Sequence, residues 1–301
     1  MIIEQALMNL PETMVGAGFG HKNYEGSIVS AFSLAILQSL NSRNIPNPMS
    51  CIIAEYAYER TQSKNLRVDL KISLGKTFLG TRAYSNYGFR FENFIEAKYY
   101  QLSQSVTNTS KSNPTQNTVA VLKDIIRLIL LPTTKHNNNK SNIGRYFLHV
   151  YEGGDIGKHL SFTKRKKTER IWLKNLTTQG DFDIKLDDIK EDDYEWWKLL
   201  NISKLEINVT NYRISSIPIA NNQIPNTTIY TYLLTRINSF SVCIGNSDYT
   251  LELDSSMNIK ESMSSTTKKA DDNSFTSTYP NFESLLSTSI KTKTAKAKTA
   301  I

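Results

Sequence analysis

The stretch of residues 66–73, LRVDLKIS, constrains the fold more than any other part of the chain because its apolar and polar residues alternate strictly. Every even-numbered residue in it is apolar, whereas Arg67, Asp69 and Lys71 are charged. Alternation with a period of two is typical of a β-strand that buries one face. Such a strand needs sheet neighbours and a covering layer, so the sequence predicts a sheet-containing domain.

The regions around this stretch predict further strands and helices. Apolar spacing predicts helices over residues 24–40 and 118–131, the second ended by Pro132. Strands are predicted over residues 52–59, 66–73, 94–100 and 145–151. The resulting order is helix, strand, strand, strand, helix, strand, which predicts a mixed α/β fold.

The C-terminal half is expected to add strands and a tail. Residues 204–210 and 230–244 read as strands, which we expect to flank the core. From about Ser255 the chain is rich in Ser, Thr and Lys, and we expect disorder because few large apolar residues remain to offset ordering entropy. We therefore divide the chain into a core over residues 1–165, an extension over 166–254 and a disordered tail over 255–301.

Composition limits the partners and the cellular compartment that we expect for this protein. The formal net charge of +8 is compatible with a polyanionic partner. Two cysteines are too few for a disulfide framework. The N-terminus lacks the features of a secretory signal, and no stretch is long and apolar enough for a membrane span. We expect a cytoplasmic protein without a membrane partner.

The sequence does not support a dinucleotide-binding loop, a zinc site or a serine nucleophile, because the required spacing or context is missing. The glycines of residues 16–20, GAGFG, lack a preceding strand and the glycine spacing of a dinucleotide-binding loop. The four histidines are too scattered for a zinc site, and no Gly-x-Ser-x-Gly turn supports a serine nucleophile. His149, on an apolar strand, is expected to be a core residue that makes one hydrogen bond.

The predicted strands bring charged residues into a more informative arrangement. Asp69 lies on the polar face of its strand, and Glu96 and Lys98 share the polar face of the next. Neighbouring strands lie roughly 5 Å apart, so Asp69 and Glu96 converge if the register allows. Two adjacent carboxylates repel unless a cation lies between them, and Mg²⁺ prefers such oxygen ligands.

The segments Arg67-Val-Asp69-Leu and Ile95-Glu96-Ala-Lys98 together resemble the active-site pattern of the PD-(D/E)xK nuclease superfamily. Val68 stands where the pattern often has Pro. The order of elements over residues 24–152 is similar to the common core of that superfamily. The resemblance implies a restriction-endonuclease-like core: a central mixed sheet flanked by helices, here with additional C-terminal strands.

The resemblance also implies roles for individual residues. Asp69 and Glu96 would be metal ligands, and Lys98 would be the catalytic lysine that orients the attacking water or helps to deprotonate it. Glu25 or Glu55 would be the additional acidic residue that some members use, and Glu59 is an alternative to Glu55.

The implied activity is Mg²⁺-dependent hydrolysis of DNA phosphodiester bonds, with Mn²⁺ as a substitute ion. The implied role is that of a restriction or other defence endonuclease. One such site cleaves one strand, so a homodimer is an expected assembly for a double-strand cutter, but the sequence shows no dimer interface. RNA is an alternative substrate.

Several alternatives remain open at this stage. The alternative for Glu96 and Lys98 is an ordinary surface pair of small energetic value. The fold would also suit a non-catalytic module that binds nucleic acid or protein. Asp124 and Arg127 are expected to form a local pair or a helix–sheet contact. The basic run of residues 164–170 and the basic tail would either track phosphates or simply be solvated.

Overall fold

The computed structural model of the 301-residue chain describes most of the first 253 residues and one later strand. The described residues are 2–16, 25–57, 67–74, 92–101, 113–130, 143–153, 155–163, 168–190, 202–215, 229–244, 247–253 and 259–265. Glu59, most of the 16–20 glycine stretch and the basic residues 164–167 lie outside them.

Helices and strands alternate along the described chain. The helices are α1 (Ile2–Gly16), α2 (Glu25–Asn41), α3 (Pro114–Leu130), α4 (Ile171–Thr177) and α5 (Leu186–Lys190). The strands are β1 (Ile52–Ala57), β2 (Arg67–Ser73), β3 (Glu92–Tyr100), β4 (Ile143–Glu152), β5 (Gly180–Lys185), β6 (Ile202–Ser215), β7 (Tyr230–Ile244), β8 (Ser247–Leu253) and β9 (Ile259–Ser265). Short 3₁₀ helices span Pro48–Cys51 and Ile156–Lys158.

All nine of these strands belong to one mixed sheet. The main order is β1-β2-β3-β4-β7-β6-β5, with β8 paired to β7 and β9 paired to β8. The β3–β4 pair is parallel and the other pairs are antiparallel. A parallel pair requires a crossover connection, and α3 lies in the connection between β3 and β4. The sheet thus consists of a mixed part, β1 to β4, and an antiparallel part, β5 to β9. The two parts meet where β4 pairs with β7.

Two apolar clusters cover the two faces of the sheet. One contains buried residues of α1 and α2 with strand residues such as Ile72 and Ile95. The other contains buried residues of α3, α4 and α5 with strand residues such as Phe94 and Phe147. Because both faces are covered, β4 is buried along almost its whole length. The architecture is therefore helix–sheet–helix in three layers.

Strand β7 links the C-terminal half to the rest of the sheet. Its first half pairs with β4, and its second half pairs with β8, while β6 runs along its other edge. The described residues of the C-terminal half therefore extend the sheet that begins with β1.

The mixed α/β class is confirmed, and so are the six elements from α2 to β4 in their order, with bounds within a few residues. Helix α1 was not predicted. It contains Pro11, yet it buries Leu7, Leu10 and Met14 against α2, and this packing outweighs the helix-breaking tendency of proline.

The predicted disorder of residues 255–301 is wrong for residues 259–265. These residues form β9, which pairs in full with β8. An edge strand offers free backbone hydrogen-bonding groups to a segment with few large apolar residues, and composition does not report such pairing. The remainder of the predicted tail lies outside the described residues.

No helix in the described part of the chain is both long and apolar enough to cross a membrane.

Candidate active site

The end of the β2–β3 ladder places two carboxylates side by side. The antiparallel register pairs Leu70 with Ile95, and extending it by one residue sets Asp69 opposite Glu96. Residues opposite each other in a sheet share a face, and Lys98 lies two residues further along that face of β3. Asp69 and Glu96 therefore lie side by side because of this register, which is the condition that the sequence analysis set for their convergence.

Asp69 is tied to β3 through its side chain. Its Oδ2 accepts a hydrogen bond of 2.7 Å from the backbone N–H of Ala97. Burial raises the pKa of Asp69 above its ordinary value, although Lys98 and the Ala97 N–H act in the opposite direction. The carboxylate is thus held in place beside Glu96 in an environment that disfavours its charge.

Glu96 is the most deeply buried member of the group, with 1% of its surface exposed. Its Oε1 lies 3.2 Å from Nη2 of Arg127 on α3. Burial, with the neighbouring charges of Asp69 and Asp124, raises the pKa of Glu96 well above its ordinary value despite that guanidinium. A buried carboxylate with a raised pKa needs more positive charge nearby to remain ionised.

Lys98 is surrounded by carboxylates. Its Nζ lies 3.1 Å from both oxygens of Glu25 and 3.8 Å from Oδ2 of Asp124. Burial alone would lower the pKa of Lys98, but Asp124, Glu25, Asp69 and Glu96 raise it by more, so the net pKa is raised. The raised pKa favours the protonated form of Lys98.

Arg127 joins α3 to both strands of the site. Its Nη1 donates to Oδ1 of Asp124 at 3.0 Å, one turn earlier on the helix. Its Nη2 donates to the backbone carbonyl of Arg67 at 2.9 Å and faces Glu96. The expected local pair is confirmed, and it also forms a helix–sheet contact.

The charges of the group do not balance. The carboxylates of Glu25, Asp69, Glu96 and Asp124 outnumber the cations Lys98 and Arg127 by two. Burial raises the pKa of Glu25 as well, with Lys98 opposing the rise. Unbalanced buried charge is costly, so an additional dication would stabilise the ionised form of this group.

Comparisons of this chain with protein-family models, curated proteins and solved structures gave no match.

The donor set fits a hard dication such as Mg²⁺. In the described part of the chain, no three acidic, histidine or cysteine side chains form a ready-made metal cage. Mg²⁺ usually retains several waters and binds through one or two carboxylates together with substrate phosphate. Asp69 and Glu96 supply two carboxylates, and the charge around them is negative. This is sufficient for Mg²⁺ that keeps waters and substrate phosphate as its other ligands.

Of the two proposed additional acids, the structure brings only Glu25 into the group. Glu25 lies in the first turn of α2 and contacts Lys98 directly. Glu55 lies on the edge strand β1 with an exposed side chain and a backbone φ of 52°. The contact with Lys98 connects Glu25 to the group.

Sequence reasoning missed two features of the site. It did not place Asp124 and Arg127 against Glu96 and Lys98, although two charged residues within an apolar helix are a signal for such a contact. It also gave no role to Tyr100, which follows Lys98 on the same face of β3 and is 5% exposed.

His149 and Arg170, which the sequence analysis also considers, make contacts that stabilise the fold. His149 is fully buried; its ring nitrogens contact Tyr151 Oη at 2.9 Å and Thr235 Oγ1 at 3.1 Å, one partner more than expected. Arg170, at the end of the basic run, is buried and uses Nη1 for hydrogen bonds to Ser161 O and Oγ at 2.6 and 3.0 Å. Those contacts leave this nitrogen committed to the fold.

Proposed function

We propose that this protein is a Mg²⁺-dependent endonuclease of the PD-(D/E)xK type that hydrolyses DNA phosphodiester bonds. One observation carries the proposal: Asp69 and Glu96 occupy facing positions at the end of the β2–β3 ladder, and Lys98 follows on the same face. The order of elements from α2 to β4, with β3 and β4 parallel, supports a restriction-endonuclease-like core.

Asp69 and Glu96 would hold the metal ion, with Mn²⁺ as a substitute for Mg²⁺. The ion, when bound, polarises phosphate oxygens and lowers the pKa of a bound water. The excess of two carboxylates over cations around this pair gives the ion an electrostatic reason to bind there.

Lys98 acts as a fixed cation. Its ammonium donates hydrogen bonds and stabilises negative charge that develops on the phosphate during attack. Glu25 positions it by contacting it with both carboxylate oxygens. The raised pKa of Lys98 favours its protonated form, so we assign it no role as a base.

Arg127 has a different role in the free protein. It neutralises part of the charge of Glu96 and fixes α3 against the end of β2. Glu96 would share its carboxylate between this guanidinium and a bound dication.

DNA rather than RNA is the proposed substrate, and a restriction or defence role is the proposed setting, because both follow from the superfamily resemblance. The net charge of +8 supports a polyanionic partner. A homodimer is the proposed assembly if both strands of a duplex are cut.

The test is cleavage of supercoiled plasmid and of a matched RNA by the purified full-length protein in Mg²⁺, Mn²⁺ or EDTA. We expect nicking or cutting of DNA that requires a divalent ion. Asp69→Asn, Glu96→Gln and Lys98→Met should each lower the rate by at least about 100-fold, since each removes a group acting on the transition state.

The chain offers a matched control for these variants. Lys71 and Glu92 form an ion pair of 2.9 Å between the same two strands, so Lys71→Met and Glu92→Gln alter the same residue types outside the group. Both should retain wild-type cleavage. Equal losses in site and control variants would show that folding, not chemistry, is affected.

A second candidate function is a non-catalytic module that binds nucleic acid or protein. It is favoured by the contact of Glu96 with Arg127 and by the lack of a ready-made three-ligand cage in the described residues. Nucleic-acid binding that is insensitive to metal, with no cleavage of DNA or RNA under any ion, would establish this alternative and exclude the nuclease.

A further inference from the structure

A cavity of about 430 Å³ lies between α4, the end of β6 and the 3₁₀ helix Ile156–Lys158. Its charged lining residues are the cations Arg170, Lys174 and Arg213 and the carboxylates Asp155 and Glu169. The cations outnumber the carboxylates by one, so the cavity favours an anionic ligand over a cationic one.

Arg213 is the cation most available to a ligand. Its side chain is exposed and lines the cavity. Its guanidinium makes no hydrogen bond or ion pair with the residues that the structure describes. A guanidinium carries five N–H donors in a planar fork that matches a phosphate group.

Lys174 is the second available cation, because its one ion pair is loose. Its Nζ lies 3.4 Å from Oε2 of Glu169, and the two side chains are 63% and 65% exposed. An exposed pair of this kind has little energetic value. The ammonium can therefore exchange Glu169 for another anion at little cost.

The other charged residues of the cavity are fixed by the fold. Arg170 is buried, and its Nη1 donates to Ser161 O at 2.6 Å and to Ser161 Oγ at 3.0 Å. Asp155 Oδ1 accepts a hydrogen bond of 2.9 Å from the backbone N–H of Gly157. These contacts give the cavity fixed walls, against which the two exposed cations lie.

The C-terminal carbonyl groups of α4, which would repel an anion, already accept hydrogen bonds. Asn211 Nδ2 donates to Asn175 O at 2.7 Å and to Thr178 O at 2.9 Å. Thr178 Oγ1 donates to Lys174 O at 2.8 Å. This capping reduces the negative potential at the end of the helix that faces the cavity.

The sheet connects the cavity directly to the candidate active site. Lys98 pairs with His149 of β4, His149 pairs with Leu233 of β7, and Leu233 pairs with Arg213 of β6. Directly paired residues share a face of the sheet. Three strand spacings of about 4.8 Å place the backbones of Lys98 and Arg213 about 14 Å apart.

Both cations also lie at the same rim of the sheet. Strands β3, β4 and β6 run in one direction, because β3 is parallel to β4 while β4 and β6 are each antiparallel to β7. Lys98 and Arg213 each stand two residues before the end of their strand. His149 and Leu233, which lie between them, are fully buried, so a polyanion reaches both cations only along the rim.

We propose that Arg213 and Lys174 bind a backbone phosphate of the DNA in this cavity, at a distance from the cleaved bond. This inference rests on the proposed function for the identity of its ligand. At an axial rise of about 3.4 Å per nucleotide, the 14 Å separation corresponds to about four nucleotides. A phosphate contact fixes the position of the duplex without reading its sequence, so the cavity holds the DNA along the rim while Lys98 acts at the cleaved bond.

The test measures binding and does not depend on cleavage. A fluorescein-labelled duplex of about 20 base pairs is titrated with the full-length protein in EDTA, at KCl concentrations from about 50 to 300 mM, and followed by fluorescence anisotropy. Each phosphate contact contributes about 0.9 to the slope of log affinity against log salt concentration. Arg213→Met and Lys174→Met should each reduce the magnitude of this slope by about 0.9, and the double variant by about 1.8. Glu169→Gln should raise the affinity, because it removes a competing carboxylate.

Two further variants control for charge. Lys204→Met removes an exposed cation from the same strand, nine residues before Arg213, or about 30 Å along β6, and should leave the slope unchanged. Arg213→Lys keeps the charge and should keep the slope. An equal reduction in Lys204→Met and Arg213→Met would show that binding follows total charge, which overturns the proposal. If Arg213→Met fails to fold, Lys174→Met on the exposed side of α4 decides the same measurement.

The outcomes separate this inference from the proposed function. Reduced slopes in a protein whose wild type cleaves no nucleic acid overturn the nuclease and leave the phosphate site. Cleavage by the wild type with unchanged slopes in both cavity variants overturns the phosphate site and leaves the nuclease. Unchanged slopes with a melting temperature that inorganic phosphate raises in the wild type but not in Arg213→Met would assign the cavity to a small phosphate compound, which also overturns the proposal.

Discussion

The ammonium group of Lys98 lies 3.1 Å from both carboxylate oxygens of Glu25, so the first turn of α2 is joined to the C-terminal part of β3. These residues are 73 positions apart in the chain. The contact orients the lysine across the face of the sheet on which Asp69 and Glu96 also lie. Through this contact α2, which contributes none of the residues Asp69, Glu96 and Lys98, positions the lysine of the proposed site.

Glu25→Gln keeps the size of the side chain and removes its charge. We expect cleavage to slow about tenfold, because Lys98 loses its main anchor. The free energy of unfolding should change by less than about 1 kcal/mol, since the two side chains are 43% and 23% exposed and their attraction is screened. Single-turnover kinetics and urea denaturation measure the two effects. Glu92→Gln, which breaks the Lys71 pair, is the control, and an equal slowing in it would contradict the prediction.

Arg127→Met should destabilise the protein strongly. It leaves Glu96 and Asp124, which are 1% and 4% exposed, without their guanidinium partner. Removing one member of a buried ion pair costs about 3–5 kcal/mol, which urea denaturation at pH 7 would report as a lower midpoint.

A double variant tests the cause of that loss. Arg127→Met combined with Glu96→Gln should be less destabilised than Arg127→Met alone, because one of the two carboxylates that lose the guanidinium is no longer charged. Lys123→Met changes a half-buried cation on the same helix and should shift the free energy of unfolding by less than about 1 kcal/mol. A loss in Lys123→Met as large as that in Arg127→Met would indicate a general effect on α3.

Glu96 should make the metal-free protein less stable as the pH rises. Its pKa is raised above the ordinary value of 4.5 in the folded state, so the folded state binds more protons than the unfolded state above that pH. The free energy of unfolding therefore falls as the pH rises from 4.5 through the raised pKa, by about 1.4 kcal/mol for each unit that separates the two pKa values. Glu96→Gln removes this contribution.

Urea denaturation of both proteins in EDTA from pH 4.5 to 8 measures it. The stability of Glu96→Gln relative to the wild type should increase with pH. Parallel curves would show that Glu96 does not change its proton affinity on folding.

Divalent ions should reverse this loss. Mg²⁺ or Mn²⁺ binds the ionised carboxylates of the folded state only, so a saturating concentration should raise the melting temperature of the wild type. The increase should be larger at pH 8 than at pH 6, because protons compete with the ion for the same oxygens. Differential scanning fluorimetry should show no such increase for Asp69→Asn or Glu96→Gln. An equal increase in all three proteins would place the ion elsewhere.

His149 should have the opposite pH dependence. Burial lowers its pKa to about 3 from the ordinary 6.5, so it folds as the neutral ring. Below pH 6.5 the unfolded state binds the proton first, and the stability that His149 contributes falls by about 1.4 kcal/mol per pH unit down to about pH 3. The difference between the wild type and His149→Gln in urea denaturation should shrink over this range. A constant difference would show that the ring is protonated in the fold.

Local sequence determined where many of the strands lie and which face of a strand a given residue occupies. Strict alternation identified β2 and showed that Asp69 lies on its polar face, and the two-residue spacing of Glu96 and Lys98 placed both on one face of β3. Strand β7 has the bounds that its sequence predicts. These features depend on side-chain periodicity along one segment, which the order of residues contains in full.

Only the tertiary structure decided which of these faces meet. The register that sets Asp69 opposite Glu96 is a choice between two distant strands, and a slip of one residue would have separated them. Helix docking selected Glu25 instead of Glu55 and brought Asp124 and Arg127 to the strands, while edge pairing turned residues 259–265 into β9. Periodicity specifies the face on which a residue lies, whereas its partner depends on how separate segments pack, and no single segment contains that information.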